Sequence, residues 1–92
     1  MKISKEAKQL AKDLDLSEAD AVLMELKSHL YEYAAQSIKK SKLSHEEMAK
    51  QIGTSRARIT RISNMGENSI SIELLVKIIV TLEKKVPFKL SA

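Results

Sequence analysis

The sequence contains no cysteine, no tryptophan, one proline and two glycines among its 92 residues. The absence of cysteine excludes a disulfide framework and any thiolate metal site, and it agrees with a reducing compartment. Because proline and glycine are the strongest breakers of regular structure, their scarcity favours long helices over many short strands and turns. The only aromatic residues are Tyr31, Tyr33 and Phe88, so we expect an aliphatic core.

The chain also lacks the features of membrane, secreted and catalytic proteins. No apolar run approaches the ~20 residues that span a bilayer, and residues 1–15 contain no apolar block of the signal-peptide type. His29 and His45 are the only histidines, and there is no phosphate-binding glycine loop and no spacing typical of a catalytic triad. We therefore expect a cytoplasmic protein that is not an enzyme and that uses no cofactor or metal.

Four serines divide most of the sequence into helical segments, because each precedes a run of apolar residues at helical spacing. The N-caps and their predicted helices are Ser17 before 18–40, Ser44 before an eight-residue helix that Gly53 ends, Ser55 before 56–63, and Ser71 before 72–84. Residues 1–16 are lysine-rich and poor in apolar residues, so they either form a short amphipathic helix or fray. Pro87 ends the last helix, and alternating apolar and polar residues predict a short strand at 86–90.

The two short helices on either side of Gly53 form a candidate helix-turn-helix over residues 44–63. Glycine suits the left-handed conformation that commonly follows a helix end, and Ala49 is small where the two helices must cross closely. Ile59 and Ile62 recur at the spacing that turns one face of the second helix toward the core. In DNA-binding units of this kind the second helix lies in the major groove.

All three arginines of the chain lie in that second helix, within the six consecutive positions 56–61, whereas lysine is scattered along the sequence. The inward isoleucines leave Arg56, Ala57, Thr60 and Arg61 on the opposite face, with Arg58 at its edge. A guanidinium group bonds bidentately to guanine or to a phosphate. Three positive charges on one short helix repel one another, and a polyanion relieves that repulsion. The cluster therefore predicts contact with DNA, and the alternative is an ordinary solvated helix surface.

The stretch LSHEEMAKQIGTSRARITRIS, residues 43–63, resembles the helix-turn-helix of the Xre/Cro-repressor-like family. The family pattern runs leucine, serine or threonine, glutamine, any residue, glutamate, leucine and alanine, and later a glycine and a serine before the recognition helix. ISIELLVKIIVTLEKKVPFKL, residues 70–90, is similar to the branch that includes HigA-like antitoxins. The resemblance implies an all-α, five-helix, lambda-repressor-like DNA-binding domain with a short C-terminal β-strand over 17–92, which an N-terminal extension, 1–16, precedes.

The resemblance also implies roles for individual residues. Base-reading positions are Arg56, Ala57 and Arg61, base or phosphate contacts are common at Ser55, Arg58 and Thr60, and the phosphate-contacting start of the preceding helix is Ser44 with His45. Whether Arg58 reads a base or only contacts the backbone stays open. The sequence departs from the pattern at His45, where glutamine is usual, at Ile70, where phenylalanine is usual, and at Glu67, which lies in a loop that is usually basic.

These observations predict a sequence-specific DNA-binding transcriptional regulator, a repressor that binds a palindromic operator as a homodimer through its last helix and residues 86–90. One short recognition helix covers only a few base pairs, and a two-fold pair extends the site to two half-sites. The alternative is an antitoxin that binds a RelE-like ribonuclease toxin and autoregulates its operon. Residues 1–24 exceed what the helix-turn-helix needs, so they either wrap such a partner or form a simple extension.

Overall fold

The computed structural model describes residues 17–84 and, before them, positions 5, 6, 9 and 12, which are helical and exposed. Residues 17–84 fold into four helices: α1 Glu18–Lys40, α2 His45–Ile52, α3 Arg56–Ser63 and α4 Ile72–Glu83. Both α1 and α2 pack against α3 and against α4. No helix in this part of the chain is long and apolar enough to cross a bilayer.

Each helix begins at the serine that the sequence marks as its N-cap. In α2, α3 and α4 the serine Oγ accepts a hydrogen bond from the backbone N–H three residues on, at 3.1 Å each time. Such a bond satisfies one of the N–H groups that a helix start leaves without a partner, and it contributes ~1 kcal/mol. The start of every helix is therefore specified locally, which explains why the sequence predicts these boundaries well.

The core is aliphatic, as the shortage of aromatic residues predicts. Eight large apolar side chains are fully buried in it: Ile38, Met48, Ile52, Ile59, Ile62, Leu75, Ile78 and Ile79. Burying one such side chain contributes ~1.5–3 kcal/mol. Two of the eight belong to α3, a helix too short to be stable alone in water. The core, rather than the intrinsic stability of α3, therefore holds this helix in place.

The expected five-helix domain with a C-terminal strand is wrong. Between residues 17 and 84 there are four helices and no strand. This range supplies only four serine-capped apolar segments, and α4 ends at Lys84, whose φ of 60° is left-handed and breaks the helix. The predicted strand at 86–90 lies outside the described residues, as does most of the extension 1–16.

The end of α4 is fixed to the end of α1 through Glu83. Ser37 Oγ donates a hydrogen bond to Glu83 Oε1 at 3.0 Å, and Lys40 Nζ lies 2.7 Å from the same oxygen. The hydrogen bond to the Glu83 carboxylate, followed by its negative charge, raises the pKa of Lys40 above its ordinary value. These contacts join the C-terminal ends of the two longest helices.

Candidate nucleic-acid interface

The turn between α2 and α3 depends on the backbone of Gly53. Its φ of 86° and ψ of 38° lie in the left-handed region. The N–H groups of Gly53 and Thr54 both donate to the Ala49 carbonyl, at 2.8 and 3.0 Å. A Cβ at Gly53 would meet nothing closer than Lys77 Nζ at 3.6 Å, so conformation rather than space selects glycine here. The bonded turn leads directly into the N-cap of α3.

One face of α3 is buried and the other is presented outward. Ile59 and Ile62 are fully buried. Arg56, Ala57 and Arg61 are exposed, whereas Arg58 and Thr60 are half-buried at the edges of that face. The buried isoleucines and the exposed Arg56, Ala57 and Arg61 match the sequence pattern. Thr60, which the pattern places on the outward face, lies at its edge instead.

Two of the three arginines share one carboxylate, that of Glu67 in the loop after α3. Arg61 donates to Glu67 Oε2 from Nη2 at 3.1 Å and from Nε at 3.3 Å. Arg58 Nε lies 3.3 Å from the same oxygen but outside hydrogen-bonding geometry, so this contact is an ion pair only. Arg58 Nη2 also donates to the Ser69 carbonyl at 2.6 Å. We call Arg58, Arg61 and Glu67 the arginine clamp.

The backbone of Glu67 is held by Tyr31 of α1. The Tyr31 hydroxyl donates to the Glu67 carbonyl at 3.0 Å and accepts from the Glu67 N–H at 2.7 Å. The loop is bonded to α3 as well, because the Gly66 N–H donates to the Arg61 carbonyl at 2.7 Å. The carboxylate of the arginine clamp therefore comes from a segment that is fixed on both sides.

A family model described as a helix-turn-helix domain matches residues 10–91, most of the chain. The chain belongs to this helix-turn-helix family. Helix-turn-helix domains bind DNA, and membership identifies the protein as a DNA-binding regulator. No curated protein and no solved structure matches the chain.

The recognition helix of this helix-turn-helix domain, α3, has an unfavourable charge at its start. The first turns of α1, α2 and α4 contain acidic residues, which suit the positive end of the helix dipole. The first turn of α3 contains none and carries Arg56 and Arg58 instead. The Arg56 guanidinium forms no hydrogen bond or ion pair with any residue that the structure describes. A bound anion would offset both the dipole and the guanidinium charge.

The two helices of the helix-turn-helix are also joined by a side-chain bond. His45 Nδ1 lies 2.9 Å from Thr60 Oγ1, and both residues are half-buried. This bond links the first residue of α2 to the middle of α3. It uses one ring nitrogen of His45 and leaves Nε2 for a further contact.

Among the sequence-predicted site residues, the structure brings His45 and Thr60 into contact and leaves Ser44, Ser55, Arg56, Ala57 and Arg61 exposed. Two further residues, Glu67 and Tyr31, join the arginines of α3. Glu67 is noted in the sequence only as a departure from the family pattern, and Tyr31 only as an aromatic residue. One signal was available for Glu67: it is the sole acidic residue between Glu47 and Glu73, and the three arginines lie in that interval. No signal pointed to Tyr31, which is 36 residues away from Glu67. Within the described residues, no cluster of acidic and histidine side chains is suited to a metal.

Proposed function

We propose that this helix-turn-helix protein is a sequence-specific transcriptional repressor that binds a palindromic operator as a homodimer. The observation that carries the proposal is the outward face of α3. Two buried isoleucines fix the helix, and its arginines are the only arginines of the chain. An arginine fork reads guanine in the major groove, the groove into which a recognition helix fits.

Arg56 and Arg61 are the proposed base readers. Arg56 is exposed at the first position of α3, and Arg61 lies in its last turn with its side chain 51% exposed. Ala57, between them on the exposed face, is small enough to lie against a thymine methyl group. The three side chains together span the length of the helix that enters the groove.

Phosphate contacts are proposed for Ser44, His45, Ser55 and Thr60. The two serines cap α2 and α3, and helix starts attract phosphates through their free N–H groups and their dipoles. The bond from Thr60 to His45 Nδ1 leaves the Nε2 atom for a phosphate oxygen. Arg58 fits a backbone-side role better than a base-reading one, because Ser69 and Glu67 already engage its guanidinium.

The homodimer is proposed to form through α4. Its exposed residues Glu73, Lys77 and Val80 recur at helical spacing on one face, and Val80 is 39% exposed. Glu73 and Lys77 carry opposite charges one turn apart, so an antiparallel pairing of two α4 helices places each glutamate near the partner's lysine. Two-fold symmetry of this kind is the usual form of a homodimer and matches a palindromic operator.

A second candidate function is that of an antitoxin, with DNA binding used for autoregulation. Its support is the resemblance of residues 70–90 to HigA-like antitoxins and an apolar surface on the start of α1. Leu23 there is 51% exposed, and a nearby groove is lined in part by Met24, Tyr31 and Ile70. A neighbouring gene for a small basic ribonuclease, and co-purification of its product with this protein, would favour this candidate over a simple repressor.

The base-reading proposal is tested with alanine variants of the arginines on a duplex that the wild-type protein selects from random sequences. Arg56→Ala or Arg61→Ala is expected to cost ~1–3 kcal/mol and to relax specificity at one base position. Arg58→Ala is expected to weaken binding evenly across sequences. Binding is measured by fluorescence anisotropy with single-base variants of the duplex.

The matched control is Lys39→Ala, which removes the same charge from an exposed position near the end of α1. It should leave base preference unchanged. If all three arginine variants bind every duplex as the wild type does, α3 is not the DNA-reading element.

A further inference from the structure

We propose that Glu67 is a positioning residue for DNA recognition, whose carboxylate fixes the Arg61 fork toward the base edge and lowers the attraction of α3 for phosphates in general. The inference rests on the proposed function and adds a specificity determinant that lies outside the helix-turn-helix itself. Its basis is the arginine clamp, in which one oxygen, Oε2 of Glu67, meets both Arg58 and Arg61.

The clamp is shielded on the side of the carboxylate and open on the side of Arg61. The Glu67 side chain is only 13% exposed, whereas that of Arg61 is 51% exposed. Screening by solvent is therefore weaker at the carboxylate than for an ordinary surface ion pair. The ion pair holds the Nε side of the Arg61 guanidinium, while the rest of the group still faces solvent.

The remaining donors of Arg61 suit a guanine. A guanidinium has five N–H donors in a planar fork. Glu67 Oε2 takes one from Nε and one from Nη2. Both Nη1 hydrogens and the second Nη2 hydrogen remain. One of the Nη1 hydrogens and this Nη2 hydrogen form the end-on edge that bonds bidentately to guanine O6 and N7. The clamp thus leaves one complete recognition edge free and fixes the plane in which it lies.

The rigidity of the loop gives this arrangement its effect. Tyr31 holds both backbone groups of Glu67, and the Gly66 N–H bonds to the carbonyl of Arg61 itself. The carboxylate therefore cannot follow an arginine that swings toward a phosphate. Ordering of the long arginine side chain takes place on folding rather than on binding, which favours the geometry that the correct base requires.

Charge acts in the same direction as geometry. The three arginines of α3 carry +3, and Glu67 reduces the sum at this surface to +2. Binding to DNA of any sequence depends on the number of phosphates that cations neutralise, and its salt dependence follows that number. A carboxylate inside the arginine cluster therefore weakens binding to unrelated sequences more than binding to a site where Arg61 meets its base.

Two substitutions separate charge from position. Glu67→Ala removes the carboxylate, and Glu67→Asp keeps the charge but withdraws it by about 1.5 Å, one C–C bond, from a backbone that Tyr31 fixes. Glu32→Ala, on an exposed position of α1, is the control that changes net charge equally. Each variant is titrated against the duplex that wild-type protein selects, its variant at the base read by Arg61, and a scrambled duplex, over a range of salt.

The expected result differs between the variants. With Glu67→Ala the slope of log affinity against log salt on the scrambled duplex should steepen by about 0.9, the value for one additional phosphate. Its preference for the correct base at the Arg61 position should fall roughly fivefold to 150-fold, the range of one bidentate contact. Glu67→Asp should lose base preference with a slope near that of the wild type, and Glu32→Ala should change neither quantity.

The inference is overturned if Glu67→Asp and Glu67→Ala keep the wild-type base preference while both melt as folded proteins. A second readout needs no DNA: the Nε–H resonance of Arg61 should exchange slowly with water in the wild type and rapidly in Glu67→Ala. Equal exchange in both proteins also refutes the clamp. If wild-type protein selects no duplex at all, the proposed function fails, and that result is distinct from a variant with unchanged preference.

Discussion

Removal of a single oxygen atom, in Tyr31→Phe, should loosen the loop after the recognition helix and with it the arginine clamp. The hydroxyl makes two hydrogen bonds, at 3.0 and 2.7 Å, to the carbonyl and the N–H of Glu67 in a partly buried setting. Each such bond contributes ~0.5–1.5 kcal/mol net. Because solvent can reach this site in part, we take the lower half of the range and expect a loss of about 1–2 kcal/mol in the free energy of unfolding.

For a domain of this size, 1 kcal/mol corresponds to a shift in melting temperature of about 4–8 °C. Thermal unfolding followed by circular dichroism resolves such a shift. Tyr33→Phe is the matched control: Tyr33 is on the same helix and also half-buried, and its hydroxyl makes no hydrogen bond to the described residues. Tyr31→Phe should also lower base preference at the position read by Arg61. Equal melting temperatures for the two phenylalanine variants would refute the role given to Tyr31.

Two further predictions concern the turn and the link between α1 and α4. Gly53→Ala should lower the free energy of unfolding in urea titrations by about 1–2 kcal/mol, the cost of placing alanine in the left-handed region. Gly66→Ala is the control, because the φ of Gly66 lies outside that region and the atom nearest to an added Cβ is 3.7 Å away. It should be neutral or slightly stabilising. Glu83 raises the pKa of Lys40 in the folded protein. The contribution of Lys40 to the free energy of unfolding is therefore complete below its pKa in the unfolded chain, about 10.4. It is lost as pH rises through the higher pKa of the folded state. The stability advantage of wild type over Lys40→Gln should therefore be constant from neutral pH to about pH 9 and shrink at higher pH, and an advantage that grows above pH 10 would contradict this pairing.

Local signals explain what the sequence predicts correctly. The bond from Ser55 Oγ to the Arg58 N–H spans three residues, and so do the equivalent bonds at the other helix starts. Gly53 ends α2 through its own backbone conformation. Ile59 and Ile62 are inward because their spacing fits one face of a helix. Each of these features depends on residues that are close in the chain, so the positions of α2, the turn and α3 could be predicted without the structure.

The errors and omissions involve residues that are distant in the chain. The bonds between Tyr31 and Glu67 and between His45 and Thr60 join positions 36 and 15 residues apart, and no periodicity encodes them. The arginine clamp likewise depends on the path of a loop. The expectation of a fifth helix between residues 17 and 92 came from the family resemblance, whereas the capping pattern marks four helices between residues 17 and 84. Between residues 17 and 84, local capping was the better guide to the number of helices.

Selection of bound duplexes from a random pool with the wild-type protein shows directly whether α3 reads operator DNA as one half of a symmetric pair. We expect a two-fold symmetric consensus whose half-sites lie about one DNA turn apart, each containing a guanine that becomes dispensable in the Arg61→Ala variant. A pool that shows no enriched sequence, or a consensus that the arginine variants select unchanged, would contradict it.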